Sequence, residues 1–339
     1  MDRVLVTGAA GFLGSHTAEM LAAKGYDVLG VDSFVTGTEA NIPSRIAFET
    51  LDLNDLAATK AMTSKFRPSH IFHAAATPYD GLSVFSPGFV TQNNYLNTVN
   101  LISAAVDTGS LRRFVFCSSM ARYGAQGQLP FSEEMAPKPT TPYGIAKLSA
   151  ELALEQLSTL HGFEYSVLIP HNVYGPRQIY DDPFRNVVAI FMNRLLQDKE
   201  LIVYGDGEQK RCFTYIDDVL PIIEKMIFSD EARSQKVNVG PNDEFISLNA
   251  LAERIEALAG HTGTRTYLES RPGEVRLANC SHHKASKLFG YHPQVDLDDG
   301  LRRMWAWMKH SGPKPFRYNH IELEIRTAST PKTWVEPVM

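Results

Sequence analysis

The pair of residues best placed to do chemistry is Tyr143 and Lys147, in Tyr143-Gly144-Ile145-Ala146-Lys147. On a helix, residues four apart share a face, so a phenol and an ammonium would stand side by side. A nearby cation favours the phenolate and pulls a tyrosine pKa down from about 10. That predicts Tyr143 as an acid/base near neutral pH. Alone, this spacing ordinarily describes a surface tyrosine beside a solvated lysine. Ser119 changes the reading, because it lies just past Arg113–Cys117, a predicted strand, and strand C-termini in parallel sheets are where ligands bind. Its hydroxyl could hydrogen-bond a substrate oxygen while Tyr143 moves the proton. Ser118 is the neighbouring alternative.

A second constellation opens the chain. Arg3 to Val6 reads as a short buried strand, and Gly8, Gly11 and Gly14 follow at three-residue intervals. From Phe12 and Leu13 onward the apolar pattern is helical, closing at Lys24-Gly25. A strand, a glycine turn and a helix start make a pyrophosphate site, with backbone N–H groups and the helix dipole facing the phosphates. Asp32, at the end of Tyr26–Val31, stands where an acidic residue would accept hydrogen bonds from the adenosine ribose. It would repel a 2′-phosphate, and Ser33-Phe34-Val35 offers no arginine to hold one, so NAD is favoured over NADP.

The elements that must position these residues alternate in type. Strands are predicted at Ile46–Thr50, Ser69–His73, Arg113–Cys117 and Tyr165–Ile169, the last closing the series. Helices are predicted through Met62 and Phe66, over Phe89–Asp107, and over Thr141–His161 with Thr141 as N-cap and Pro142 at its first position. This alternation predicts an α/β fold, a Rossmann-type doubly wound parallel sheet with helices on both faces. Beyond Pro176 a smaller mixed α/β C-terminal substrate lobe is expected, with helices at Asn186–Leu196, Leu248–Ala259 and Leu301–Met308 and a strand at Leu201–Tyr204. The predicted division is residues 1–178 for the nucleotide-binding domain, with 212–230 returning to it, 179–310 for the lobe, and 311–339 as an irregular extension.

Thr7-Gly8-x-x-Gly11-Phe12-Leu13-Gly14, together with Ser119, Tyr143 and Lys147, resembles the short-chain dehydrogenase/reductase superfamily, and particularly its extended, nucleotide-sugar-modifying branch. Pro170-His171-Asn172-Val173-Tyr174-Gly175-Pro176-Arg177 and the segment from Gly205 to Asp218 are similar to that branch as well. The resemblance covers roughly residues 3–310. It implies that Asp52-Leu53 holds the adenine, that Ala74, Ala75 and Ala76 lie under the cofactor, and that Asn94 sits near the nicotinamide. Asp52 could instead be a helix cap. It further implies that Asn172 contacts the sugar diphosphate, that Arg211 and Arg271 (in Arg271-Pro272-Gly273-Glu274) pair with phosphate, and that Asn186 makes a backbone or phosphate contact. Ser119 and Met120 would face the sugar. Ala278 aligns where a bulky residue excludes 2-acetamido sugars. Where the branch often has a lysine after the His-x-Ala segment, this chain has Pro78.

Composition narrows the class. The 339 residues are 44% hydrophobic and 21% charged, with a formal net charge of −5, which argues against a general nucleic-acid binder. Cys117, Cys212 and Cys280 lack metal-ligand spacing, and His73, His171, His282 and His283 read as packed or surface residues, so no metal is expected. No membrane span or signal peptide is apparent, and a cytoplasmic protein is expected. The resemblance also implies a homodimer through the helices Phe89–Asp107 and Thr141–His161.

Three reactions share removal of hydride from sugar C4 while Tyr143 takes the 4-hydroxyl proton: epimerisation, dehydration and decarboxylation. Dehydratases of the branch carry Asp-Glu after the catalytic hydroxyl residue, and the decarboxylases a glutamate nearby. Met120-Ala121 can move no proton there. The expectation is therefore an NAD-dependent nucleotide-sugar 4-epimerase acting on UDP-sugars, UDP-glucose or UDP-N-acetylglucosamine. UDP-glucuronate decarboxylase, a dehydratase, a net oxidoreductase and a non-catalytic NAD-binding sensor are the alternatives.

Overall fold

In the computed structural model the described residues are 2–241, 244–260, 264–271, 274–318, 320–331 and 334. Six strands and their crossover helices build the first body: β1 Arg3–Thr7, α1 Phe12–Ala23, β2 Asp27–Asp32, β3 Ala47–Thr50, α2 Leu56–Phe66, β4 His70–His73, β5 Arg113–Cys117, α5 Pro142–His161 and β6 Glu164–Pro170. Between β4 and β5 run α3 Pro87–Thr91 and α4 Asn97–Val106. The sheet has seven parallel strands, in the order Gln235–Val239, β6, β5, β4, β1, β2, β3. The order reverses between β1 and β4, and ligand crevices open at such switch points.

The alternation of β1 shows why the sheet needs helices on both sides. Val4 and Val6 join the cluster formed with α1 and with α7 Ile216–Phe228, while Leu5 joins the opposite cluster with Ile102, Ala150 and Leu154. All three strand residues are fully buried, as a doubly covered sheet requires.

Two elements differ from the sequence expectation. Tyr165–Ile169 does not close the sheet, because Gln235–Val239 pairs in parallel outside β6. Its Gln-Lys-Val-Asn-Val pattern is too polar to announce a buried strand, which suits an edge position. The expected helix Phe89–Asp107 is interrupted by a π-turn over Gln92–Leu96. The side chains of Asn93, Asn94 and Asn97 each donate to a carbonyl four residues back, and this competition with the backbone loosens the turn.

The lobe has its own core, built by α6 Val187–Leu196, α8 Leu248–Ala259 and α10 Leu297–Ser311 over the parallel pair Leu201–Tyr204 and Arg265–Leu268. α10 starts four residues before the expected Leu301, because Asp296 caps it through the Asp299 N–H. Past Gly312 the chain leaves regular structure but not the body. Ile321, Leu323 and Trp334 are buried against Tyr79, Leu82, Phe85 and Phe184.

Candidate functional site

A cavity of about 520 Å³ runs from the glycine turn, past the ends of β4 and β5, into the lobe. At its first end the turn is pressed against the end of β4. Gly8 has φ +70, and a Cβ there would lie 2.8 Å from the Ala75 nitrogen. A Cβ on Gly14 would lie 2.1 Å from the Gly8 carbonyl oxygen, so neither position admits a side chain. Gly11 is the N-cap of α1 and has no side chain to satisfy the first amides; Ser15 N, bonded to Gly11 O at 3.1 Å, is the amide that closes the first turn. The N–H groups left open lie where Gly11, Phe12, Leu13 and Gly14 line the cavity, a setting that fits a pyrophosphate.

Asp32 ends β2 and accepts from Ala10 N at 3.0 Å and from Phe34 N at 2.8 Å. Burial raises its pKa, and those backbone bonds oppose the rise. Ser33, Asp52, Leu53, Ala74, Ala75 and Ala76 line the same stretch. Asp52 also accepts from the Asn54 backbone at 2.9 Å, but the cap of α2 is Asp55. Asn94 is not at the wall. It is fully buried behind it, donating to Thr77 Oγ1 at 2.9 Å and to the Val90 carbonyl, while Asn93 and Asn97 line the cavity. The π-turn rotates the asparagines relative to a regular helix, which the sequence alone does not reveal.

At the middle of the cavity α5 presents Tyr143 and Lys147. Thr141 caps the helix through the Gly144 N–H and Pro142 follows at its first position. The Lys147 Nζ donates to the Cys117 carbonyl at 2.9 Å and lies 5.9 Å from the centre of the Tyr143 ring. Ser119 lines the cavity beside Tyr143, lowering the phenol's pKa, and accepts from Ala121 N at 3.2 Å. Burial lowers the Lys147 pKa to about 8. It also raises that of Tyr143, against the lowering by Ser119 and Arg185. The protein alone therefore does not depress the phenol as helical spacing predicts, because desolvation outweighs the neighbouring charge. Ser118 is turned to another task, donating to Glu151, which pairs with Arg122 at 3.1 Å in the interior.

The lobe side gathers Asn172, Asn186, Arg211, Arg271 and Ala278, and Met120 faces them from the sheet side. Asn172 sits at φ +41 and donates to the Cys212 carbonyl at 3.0 Å; Asn186 caps α6. Arg211 donates to the carbonyls of Lys210, Arg276 and Val275, and pairs across strands with Ala278. Arg271 lies over the Tyr204 ring at 4.9 Å and reaches Glu274 at 3.3 Å; Pro272 and Gly273 of its motif lie outside the described residues.

The histidines have structural surroundings. His73 bridges Thr7 and Thr98 at 2.7 and 2.9 Å, and burial lowers the pKa of His73 and of His171 to about 3. His282 contacts the Gly240 carbonyl, and His283 is exposed. Among the described residues no three His, Cys, Asp or Glu side chains form a metal set, and no helix is long and apolar enough to cross a membrane.

Two charged residues of the cavity wall, Asp80 and Arg185, carry no sequence signal. Asp80 faces the cavity and accepts from the Thr141 hydroxyl, so it steadies the cap of α5. Arg185 lies beside the cap of α6 and stacks over the Tyr79 ring at 5.1 Å. No motif marks either residue; both are defined by partners distant in sequence.

A doubly wound parallel sheet with a glycine turn after its first strand and a Ser–Tyr–Lys cluster at its C-terminal edge defines a dinucleotide-binding enzyme of the short-chain dehydrogenase/reductase type. More narrowly, the chain belongs to the NAD-dependent epimerase/dehydratase family, whose model matches residues 4–240. It is 34% identical over 312 residues to a UDP-glucose 4-epimerase of Mycolicibacterium smegmatis, covering 89% of this chain and 96% of that one. Among solved structures it resembles the UDP-glucose 4-epimerase of Thermotoga maritima with UDP-glucose, with TM-score 0.87 and 32% identity over 91% of this chain and 99% of that one. It also resembles the Thermus thermophilus UDP-glucose 4-epimerase complex with NAD, with TM-score 0.84 and 31% identity over 90% and 98%.

Proposed function

We propose that this chain is a nucleotide-sugar 4-epimerase that keeps NAD in the crevice at β1 and acts on UDP-sugars of the glucose and N-acetylglucosamine class. The observation that carries the reading is that Tyr143, Ser119 and Lys147 meet at the middle of the cavity, with Lys147 fixed on the Cys117 carbonyl and uncharged Met120 and Ala121 next to Ser119 in the chain. When bound, NAD supplies a hydride acceptor and donor for sugar C4 and a positive charge that favours the phenolate. Gly11 to Gly14 bind its pyrophosphate, and Asp32 its adenosine ribose. Tyr143 takes the 4-hydroxyl proton and gives it back after the sugar turns. Ser119 orients that oxygen, and Lys147 fixes the phenol against β5. Asn172, Asn186, Arg211 and Arg271 form the diphosphate end. Exchange of partners by Arg211, from backbone carbonyls to phosphate, is part of the proposal.

Dimerisation belongs to the same reading. Ile145 and Leu152, two turns apart on α5, are about half exposed, and Leu96 is 44% exposed. An apolar stripe of this kind on adjoining helices suits a second copy of the chain.

The test is incubation of purified protein with UDP-glucose, UDP-N-acetylglucosamine and UDP-glucuronate, followed by mass spectrometry and NMR. Unchanged mass with inverted C4 is the expected result. Loss of carbon dioxide from the glucuronate would make the protein a decarboxylase, and loss of water a dehydratase. No change in any of the three would favour a sugar on another nucleotide or the sensor.

A further inference from the structure

The segment after α10 reaches back over the wall of the cavity. Ser86 Oγ donates to the Glu322 carbonyl, and Ile325 N to the Phe85 carbonyl. The Glu324 carboxylate accepts from Gly88 N at 2.8 Å and Phe89 N at 2.6 Å, at the start of α3. Arg317 pairs with Asp181 at 2.8 Å. The strap therefore clasps two segments of different bodies, 79–89 beside the sheet and 181–185 at the entry to the lobe. Both contribute cavity wall, through Asp80 and Gly81 on one side and Pro183, Phe184 and Arg185 on the other.

Asp182 is the centre of the clasp. It is 1% exposed, and its Oδ2 accepts from the Tyr79 hydroxyl at 2.5 Å and meets His320 Nε2 at 3.3 Å. Its Oδ1 accepts from Phe184 N at 2.9 Å. Arg185 Nε stands 3.5 Å from Oδ2. Burial alone would raise the Asp182 pKa, but His320, Arg185 and Tyr79 together bring it below the usual value, so the carboxylate is charged. Arg185 differs from the other cavity cations. Lys147 and Arg211 donate to backbone carbonyls, and Arg271 to Glu274. Arg185 Nε is buried without a hydrogen bond among the described residues. Its guanidinium is held in place by ring stacking and by the Nε–Asp182 ion pair, no hydrogen bond among the described residues commits its terminal nitrogens, and it lies near enough to Tyr143 to lower the phenol's pKa. A pre-positioned planar cation with free donors suits an oxyanion.

We propose that Arg185 binds an anionic group of the substrate, and that His320, acting through Asp182, is the positioning residue that lets the C-terminal strap set Arg185's place in the wall. This rests on the nucleotide-sugar reading. The anion is either the diphosphate or a carboxylate on the sugar, and both present a pair of anionic oxygens to a guanidinium.

The experiment is calorimetric binding of UDP, UDP-glucose and UDP-glucuronate to the NAD-loaded enzyme, with KM and kcat for both sugars, for Arg185→Gln, His320→Ala and His320→Gln. Arg185→Gln is expected to weaken binding about tenfold or more, with KM rising and NAD content unchanged. His320→Ala should weaken it by a smaller factor, and His320→Gln, which keeps a donor toward Asp182, should restore most of the loss. Equal weakening for UDP and both sugars identifies the diphosphate; weakening confined to UDP-glucuronate identifies the sugar carboxylate. Unchanged affinity in Arg185→Gln overturns the proposal. So does a His320→Ala protein that loses thermal stability with affinity and KM unmoved. If wild-type enzyme binds these nucleotides but inverts no sugar, the epimerase reading fails while the binding data still decide on Arg185.

Discussion

The Lys147 ammonium donates a 2.9 Å hydrogen bond to the Cys117 carbonyl, joining the helix that carries Tyr143 to the end of the strand that leads into Ser119. A 2%-exposed ammonium is costly to bury, and this bond, with the Phe116 ring 4.8 Å away, offsets part of the cost. The placement makes Lys147 a fixed support for the phenol rather than a mobile surface charge.

Removing the phenol hydroxyl should leave that framework standing. Tyr143→Phe is expected to lower kcat by about a hundredfold to ten-thousandfold, the range for loss of a general acid/base, with NAD retained. Steady-state kinetics beside cofactor content of the purified variant checks this, and normal turnover would contradict the assignment.

Lys147 also gives a pH signature. Its folded pKa, about 8, lies below the unfolded value near 10.4, so the unfolded chain binds the extra proton between these limits. The cost of burying the charge is full below pH 8, and stability from this group rises as pH climbs toward 10. Denaturant titrations of cofactor-free wild type and Lys147→Met across that window should show the rise in wild type and a flatter profile in the variant.

The interior pair Arg122 and Glu151 predicts a large, purely structural effect. Both are almost fully buried, and Glu151 also accepts from Ser118. Arg122→Met leaves a buried carboxylate without its cation and is expected to cost about 3–5 kcal/mol. Arg122→Met with Glu151→Leu should recover much of that loss, measured by the denaturant midpoint.

Cofactor choice can be tested at Asp32. Asp32→Asn keeps an acceptor but loses the charge, and should weaken NAD binding about tenfold. NADP, no longer repelled, should gain relative to NAD. Fluorescence titration with both dinucleotides reads the ratio.

The assembly prediction concerns α5. Ile145→Glu together with Leu152→Glu should convert a dimer to a monomer in light scattering, with the cavity residues untouched.

Legibility from sequence followed the range of the physics. The glycine turn and the Tyr143–Lys147 pair are local: strand, turn and helix registers place their groups without tertiary information. Thr141 and Pro142 announce α5 for the same reason. Asn94 stands behind Asn93 and Asn97 because a π-turn, with asparagine side chains bonding back to carbonyls, shifts which residue lines the cavity. The edge strand Gln235–Val239 lacks an apolar run because Gln235 and Lys236 are partly exposed and the Asn238 side chain bonds the Tyr123 hydroxyl and the Phe131 carbonyl. Arg185 was invisible because its position depends on Asp182, Tyr79 and His320, which meet only after the chain end folds back across both bodies.

The most direct test of the central claim uses UDP-glucose carrying deuterium at C4. The label should stay at C4 through inversion, because the hydride leaves to the bound cofactor and returns inside the closed site. NMR of the product should therefore show inverted C4 with deuterium retained. Inverted product with the label lost to solvent would contradict transient oxidation at C4, and with it the roles given to Tyr143 and the nucleotide crevice.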